Sequence, residues 1–163
     1  MTGPGIPPLP TSETGGNAVP TVHLRFSALP AHVRTARLVA ATVARRSGVD
    51  DDLLDEVRLA VGEACSRAVG QHARSGLHEP VSMTLHTEDG RFCVEVADVV
   101  PIGLPLAEML PEITSPADLL DADPADMDTS LGLALIAGLV DDVAVVPGSD
   151  GTVVRMTWPA TSL

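Results

Sequence analysis

Asp55–His72 reads DEVRLAVGEACSRAVGQH, and the reading of this stretch decides the fold. Val57, Ala60, Val61, Ala64, Cys65, Ala68 and Val69 recur at helical spacing, so one face is apolar and belongs in a core. Glu63 and Arg67 stand one turn apart on the flank of that face. An exposed pair at this spacing, with the acid N-terminal, stabilises a helix by about 0.2–0.5 kcal/mol. That bland account competes with a functional one, and the rest of the chain weighs between them.

The chain has 163 residues, 45% hydrophobic and 20% charged, which is enough for one domain with its own core. Aromatic residues are only 2%, so the core rests on Val, Leu, Ala and Ile and no stacking platform for single-stranded nucleic acid is expected. A formal net charge of −12 repels phosphate backbones, which argues against direct nucleic-acid binding and in favour of a basic protein partner. All ten basic residues are arginine. Two cysteines, Cys65 and Cys93, lack metal-ligand spacing and read as reduced core thiols, so no metal ligand set is assigned. Residues 1–20 hold Pro, Gly, Ser and Thr with neither a basic nor an apolar signal region, so a flexible tail is expected. No apolar run reaches the length of a membrane span, and a cytoplasmic protein is expected.

Folded structure is expected over 21–163. Val22, Leu24 and Phe26 alternate with polar residues as in a half-buried strand, and Pro30 suits the first turn of a helix that Gly48 stops. Asp50 is a natural N-cap for the following helix, which holds the opening stretch. The strands PVSMTLHT and RFCVEVAD then flank Asp89-Gly90, a pair that favours a tight hairpin. Residues 99–129 are rich in proline and acid and have no basic residue, so they read as a long mobile loop with a short helix over 117–120. A helix in TSLGLALIAGLV and the strands VAVV and TVVRMTW close the chain. This order predicts an α+β two-layer sandwich, with helices on one face of a mixed, mostly antiparallel sheet.

The run EVRLAVGEACSRAV, the strand end VEVAD, the helix start SLGLALIAGLVDDV and the terminal GTVVRMTW, in that order, resemble the anti-sigma factor and switch-protein serine kinases of the histidine-kinase-like ATPase superfamily. The resemblance covers nearly everything after residue 20. It implies ATP and magnesium as cofactors. Glu63 matches the catalytic glutamate that polarises the nucleophile, and Arg67 stands where the family keeps an asparagine that ligates magnesium. Asp98 matches the aspartate that accepts from the adenine amino group, with a strand-end residue that caps the following loop as the competing account, and Thr152 matches its supporting threonine. Ser130, Leu131 and Gly132 match the glycine, any residue, glycine turn that cradles phosphate at a helix N-terminus. The segment 99–129 corresponds to the lid over ATP.

Three departures share one direction. Arg67 has no lone pair for a cation, Val99, Val100 and Pro101 follow Asp98 in place of the family's first glycine, and Ser130 narrows the backbone angles of the phosphate turn. Weakened or lost ATP binding is therefore expected. Arg67 is expected to pair with Glu63, or else to reach a nucleotide phosphate itself. In the family an arginine of the first helix contacts the partner, at a place Arg37 matches, with Arg34 one turn earlier. The resemblance thus implies an anti-sigma factor-like regulator that binds a sigma factor, an anti-sigma factor antagonist, or both, and that can homodimerise as family members commonly do. The alternative is an active serine/threonine kinase acting on such an antagonist. His32, His72 and His78 have no partner residues at catalytic spacing and read as surface or satisfied structural histidines.

Overall fold

The computed structural model describes residues 20–100, 134–148 and 150–161. Strand β1 (Val22–Phe26) leads into helix α1 (Pro30–Arg46), a short 3-10 turn (Asp51–Leu53) and helix α2 (Leu54–Arg74). Strands β2 (Val81–Glu88) and β3 (Arg91–Ala97) follow, then a helical stretch over 134–139, strand β4 (Asp142–Gly148) and strand β5 (Gly151–Pro159). The expected order of elements is the observed one. The expected tail over 1–20 and lid over 99–129, Ser130 and Gly132 lie outside the described residues, apart from Pro20, Val99 and Val100.

Pro30 opens α1 and Gly48 takes a φ of 86° just beyond it, as the sequence predicts. Asp50 does cap, but its Oδ1 accepts from the Asp52 N–H at 2.9 Å and so caps the 3-10 turn ahead of α2, whereas α2 itself starts after Leu53 with no side-chain cap. Asp89 (φ 50°) and Gly90 (φ 73°) form the two-residue turn that pairs Glu88 with Arg91. Positive φ at both central residues matches the right-handed twist of the flanking strands.

The strand order is β1-β2-β3-β5-β4, and every pair is antiparallel. The expected sheet was mixed and mostly antiparallel; among the described residues it is wholly antiparallel, because β5 returns between β3 and β4, which run the same way but do not pair. That insertion places the end of β3 beside the start of β5, and hence Asp98 beside Thr152.

Val81, Met83 and Leu85 of β2, Phe92, Val94 and Val96 of β3, and Val154, Met156 and Trp158 of β5 form the buried face of the sheet. Period-2 alternation aims all of them at the two helices. Helix α1 contributes Ala36, Ala40 and Ala44 to the same core and packs on α2, whose Ala60, Ala64 and Ala68 are also buried. Trp158 stands opposite Phe92 with ring centroids 6.2 Å apart, and its Nε1–H donates to the Leu139 carbonyl at 3.2 Å, tying stretch 134–139 to the sheet.

Cys65 is sealed in this core. Burial pushes its thiol from 9.0 to about 12, and the Arg37 guanidinium opposes that shift. The unfolded thiol ionises near 9.0 and the folded one only near 12, so its stabilising contribution is complete below 9.0 and is lost as pH rises toward 12. The chain has no lysine and no tyrosine, so few other groups titrate in that window. Cys65→Ala is expected to flatten the fall of the urea unfolding midpoint above pH 9, measured in reductant; parallel curves for the two proteins would rule out the buried-thiol account.

Candidate functional site

Helix α2, the end of β3 and the start of β5 converge on Asp98, whose side chain is fully buried. Arg67 reaches it from α2, with Nη1–H donating to Asp98 Oδ2 at 2.9 Å and only 3% of the Arg67 side chain exposed. Oδ1 accepts from the backbone N–H of Val100 at 2.8 Å and of Thr152 at 3.3 Å. The carboxylate thus serves three donors. The Asp98 N–H in turn donates to the Thr152 carbonyl at 3.0 Å, and the Thr152 hydroxyl to the Val100 carbonyl at 3.2 Å.

The expected pairing of Arg67 with Glu63 is not the observed one. Glu63 is half-buried on the flank of α2, and no ion pair joins it to Arg67 among the described residues. A guanidinium taken out of water needs an equally buried counter-charge, and Asp98 supplies it. Four residues at 100° each set Arg67 about 40° nearer the apolar stripe than Glu63, which carries the arginine inward. Nε and Nη2 of Arg67 are buried with no acceptor among the described residues.

Two further residues shape this corner, and sequence reasoning gave neither of them this role. His72 is fully buried; its Nδ1–H donates to the Glu79 carbonyl at 2.9 Å while Nε2 accepts from the Val99 N–H at 3.1 Å. Those two partners define a neutral ring with the proton on Nδ1, and they pin the chain as it leaves β3. The expectation of a satisfied structural histidine holds for His72, whereas His32 and His78 are exposed. Gly151 has a φ of 144°, and a Cβ there would lie 1.9 Å from the Asp98 carbonyl oxygen. Only glycine lets β5 come this close to the end of β3. The Asp150-Gly151 pair marks a turn in the sequence, but the close approach belongs to the tertiary structure.

Away from this corner, Arg34 is exposed on α1 and Arg37 is half-buried. The Arg37 side chain lies across α2 at Gly62, where a Cβ would be 2.1 Å from Nε, and that Nε is buried without a partner among the described residues. The two arginines expected to act together therefore differ in setting: Arg34 points outward, while Arg37 belongs partly to the helix packing.

Residues 26–158 match the family model of the histidine kinase-like ATPase domain. The chain belongs to that family. No curated relative matches it by sequence. Among solved structures, it is similar to the RsbU and RsbW domains of Rv1364c from Mycobacterium tuberculosis, with 18% identity, a TM-score of 0.59, and coverage of 86% of this chain and 32% of that one. It is also similar to a chain in the SiaB–SiaC complex from Pseudomonas aeruginosa, with 13% identity, a TM-score of 0.58, and coverage of 84% and 88%. This chain thus spans about a third of the length of the first of these structures. At such identities the likeness is one of fold.

ATP and magnesium are the ligands this family implies, and the residues here do not fit them. Asp98, which by the resemblance would accept from an adenine amino group, already serves three donors of this chain, the buried Arg67 guanidinium among them. By the same resemblance Arg67 stands where a magnesium ligand would be, and it offers N–H donors and no lone pair.

Proposed function

We propose that this protein is an anti-sigma factor-like regulator of a partner-switching system, a cytoplasmic binding module for a sigma factor or an anti-sigma factor antagonist, with ATP binding weakened or lost. The observation that carries this reading is the Arg67–Asp98 ion pair, in which the chain's own guanidinium takes the carboxylate oxygen an adenine would use. The framework around it is intact, so the fold is kept while base recognition is spent on an internal contact. One of the similar structures is a complex of two proteins, SiaB and SiaC, which fits a fold that holds a protein partner. No helix among the described residues is long and apolar enough to cross a membrane. A homodimer is compatible with this role.

One observation favours the alternative, an active serine/threonine kinase. Glu63 has no ion pair with Arg67 among the described residues, so its side chain is open to a nucleophile's proton. Incubating the protein with radiolabelled ATP and a co-purifying antagonist separates the two readings. A stable complex without transfer supports the binding module, and label on an antagonist serine establishes the kinase. Within the binding reading, Arg34 is the outward-pointing candidate for partner contact. Arg34→Glu is expected to weaken the captured complex about tenfold, near 1.4 kcal/mol, without moving the thermal midpoint. Unchanged affinity would remove α1 from the interface.

A further inference from the structure

Alternate residues of the strands face away from the buried core, and on that open face His86 of β2 stands directly opposite Cys93 of β3. Glu88, two residues beyond His86, shares the face. The ligand atoms of His86, Glu88 and Cys93 all lie within 4.8 Å of one another. A cation already sits among them: Arg155 Nη2 is 2.9 Å from Glu88 Oε2 and 3.9 Å from Cys93 Sγ, with Nε 3.9 Å from Glu95 Oε1.

We propose that His86, Glu88 and Cys93 form a binding site for one thiophilic divalent cation, with zinc the best match. Imidazole nitrogen, carboxylate oxygen and thiolate sulfur together suit zinc, whereas magnesium and calcium demand oxygen ligands. Zinc bond lengths set tetrahedral ligand atoms about 3.4–3.6 Å apart, so side-chain rotation alone closes the distance. Zinc with one thiolate and one carboxylate is neutral, and three protein ligands leave a fourth position for water. On binding, the Cys93 S–H bond gives way to an S–metal bond and the proton passes to solvent, while neutral His86 donates its Nε2 lone pair. Arg155 has somewhere to go, because Glu95 is its direct cross-strand partner. Cys93 is 2% exposed, but the Arg155 and Glu88 side chains around it are 39% and 57% exposed, so the route to the thiol lies through surface side chains. The site is on the side of the sheet opposite Arg67 and does not depend on how the nucleotide corner is read.

The test is cobalt titration of the full-length protein after chelator treatment in reductant. One equivalent of cobalt is expected to produce a thiolate-to-metal charge-transfer band with tetrahedral visible bands, bleached by zinc. Cys93→Ser and the partly exposed His86→Ala should each lower cobalt affinity at least tenfold with the fold retained by circular dichroism, and Cys65→Ser should not. Arg155→Ala should tighten binding, because the competing guanidinium is gone. A protein without the charge-transfer band, or a band that survives Cys93→Ser, would overturn the proposal.

Discussion

Replacing Asp98 with alanine is expected to lower the unfolding free energy by about 3–5 kcal/mol, the usual loss when one partner of a buried ion pair is deleted. For a chain of this length that corresponds to a fall of about 6–20 °C in the thermal midpoint. The penalty has two sources. The Arg67 guanidinium, with 3% of its side chain exposed, would remain in the core as an unpaired charge, and the N–H groups of Val100 and Thr152 would lose their acceptor. Asp98→Asn separates them, since the introduced amide oxygen can still accept from both N–H groups while the charge is gone. It should remain strongly destabilising on its own. Combined with Arg67→Met, which removes the stranded charge, it should recover most of the loss, because a neutral replacement of a buried pair is often nearly neutral in stability. Urea denaturation of the unmodified protein, Asp98→Asn, Arg67→Met and the double variant measures the cycle. A loss below about 1 kcal/mol for Asp98→Ala, within the range of ordinary point substitutions, would mean that Arg67 finds another counter-charge in solution.

The same pair shows what the sequence could and could not convey. Element order, hairpin position and the buried faces were legible because each rests on local chemistry: helical spacing in α2, period-2 alternation in the strands, Asp50 as a cap, Asp89-Gly90 as a turn. The placement of Glu63 and Arg67 on one flank of α2 was legible for the same reason. Their pairing was not, because an i,i+4 rule sees only the helix, whereas the winning partner lies 31 residues away on another element. Burial decided the competition: Asp98 is enclosed and Glu63 is not, and a buried guanidinium is stabilised far more by the enclosed carboxylate. The partners of His72 and the need for glycine at 151 were illegible for a related reason. They are set by Val99 and by the Asp98 carbonyl, groups brought close by the packing of α2 on the sheet and by the pairing of β5 with β3. The His86, Glu88 and Cys93 cluster likewise depends on register, since a single-residue slip between β2 and β3 would send Cys93 to the other face.

Arg67→Asn combined with Ser130→Gly is expected to raise ATP affinity about ten- to hundredfold in the presence of magnesium, from weak or undetectable binding by the unmodified protein in titration calorimetry. Removing Arg67 releases Asp98 Oδ2, and a hydrogen bond from an adenine amino group to a charged acceptor contributes about 1.5–3 kcal/mol, or roughly ten- to hundredfold in affinity. The introduced asparagine also supplies an amide oxygen able to ligate magnesium, where a guanidinium has none. Ser130 lies outside the described residues; in the sequence it takes the place of the first glycine of the family's phosphate motif, and its exchange for glycine restores the wider backbone angles open to that residue type. Arg67→Asn alone tests the base acceptor, and Ser130→Gly alone should do little while Arg67 still holds Asp98. The competing account has Arg67 grip a phosphate with Nε and Nη2, the two nitrogens that have no acceptor among the described residues. It makes the opposite forecast: tight binding by the unmodified protein without magnesium, abolished by Arg67→Ala. Tight magnesium-dependent binding by the unmodified protein would contradict both, because Arg67 has no lone pair to hold the metal.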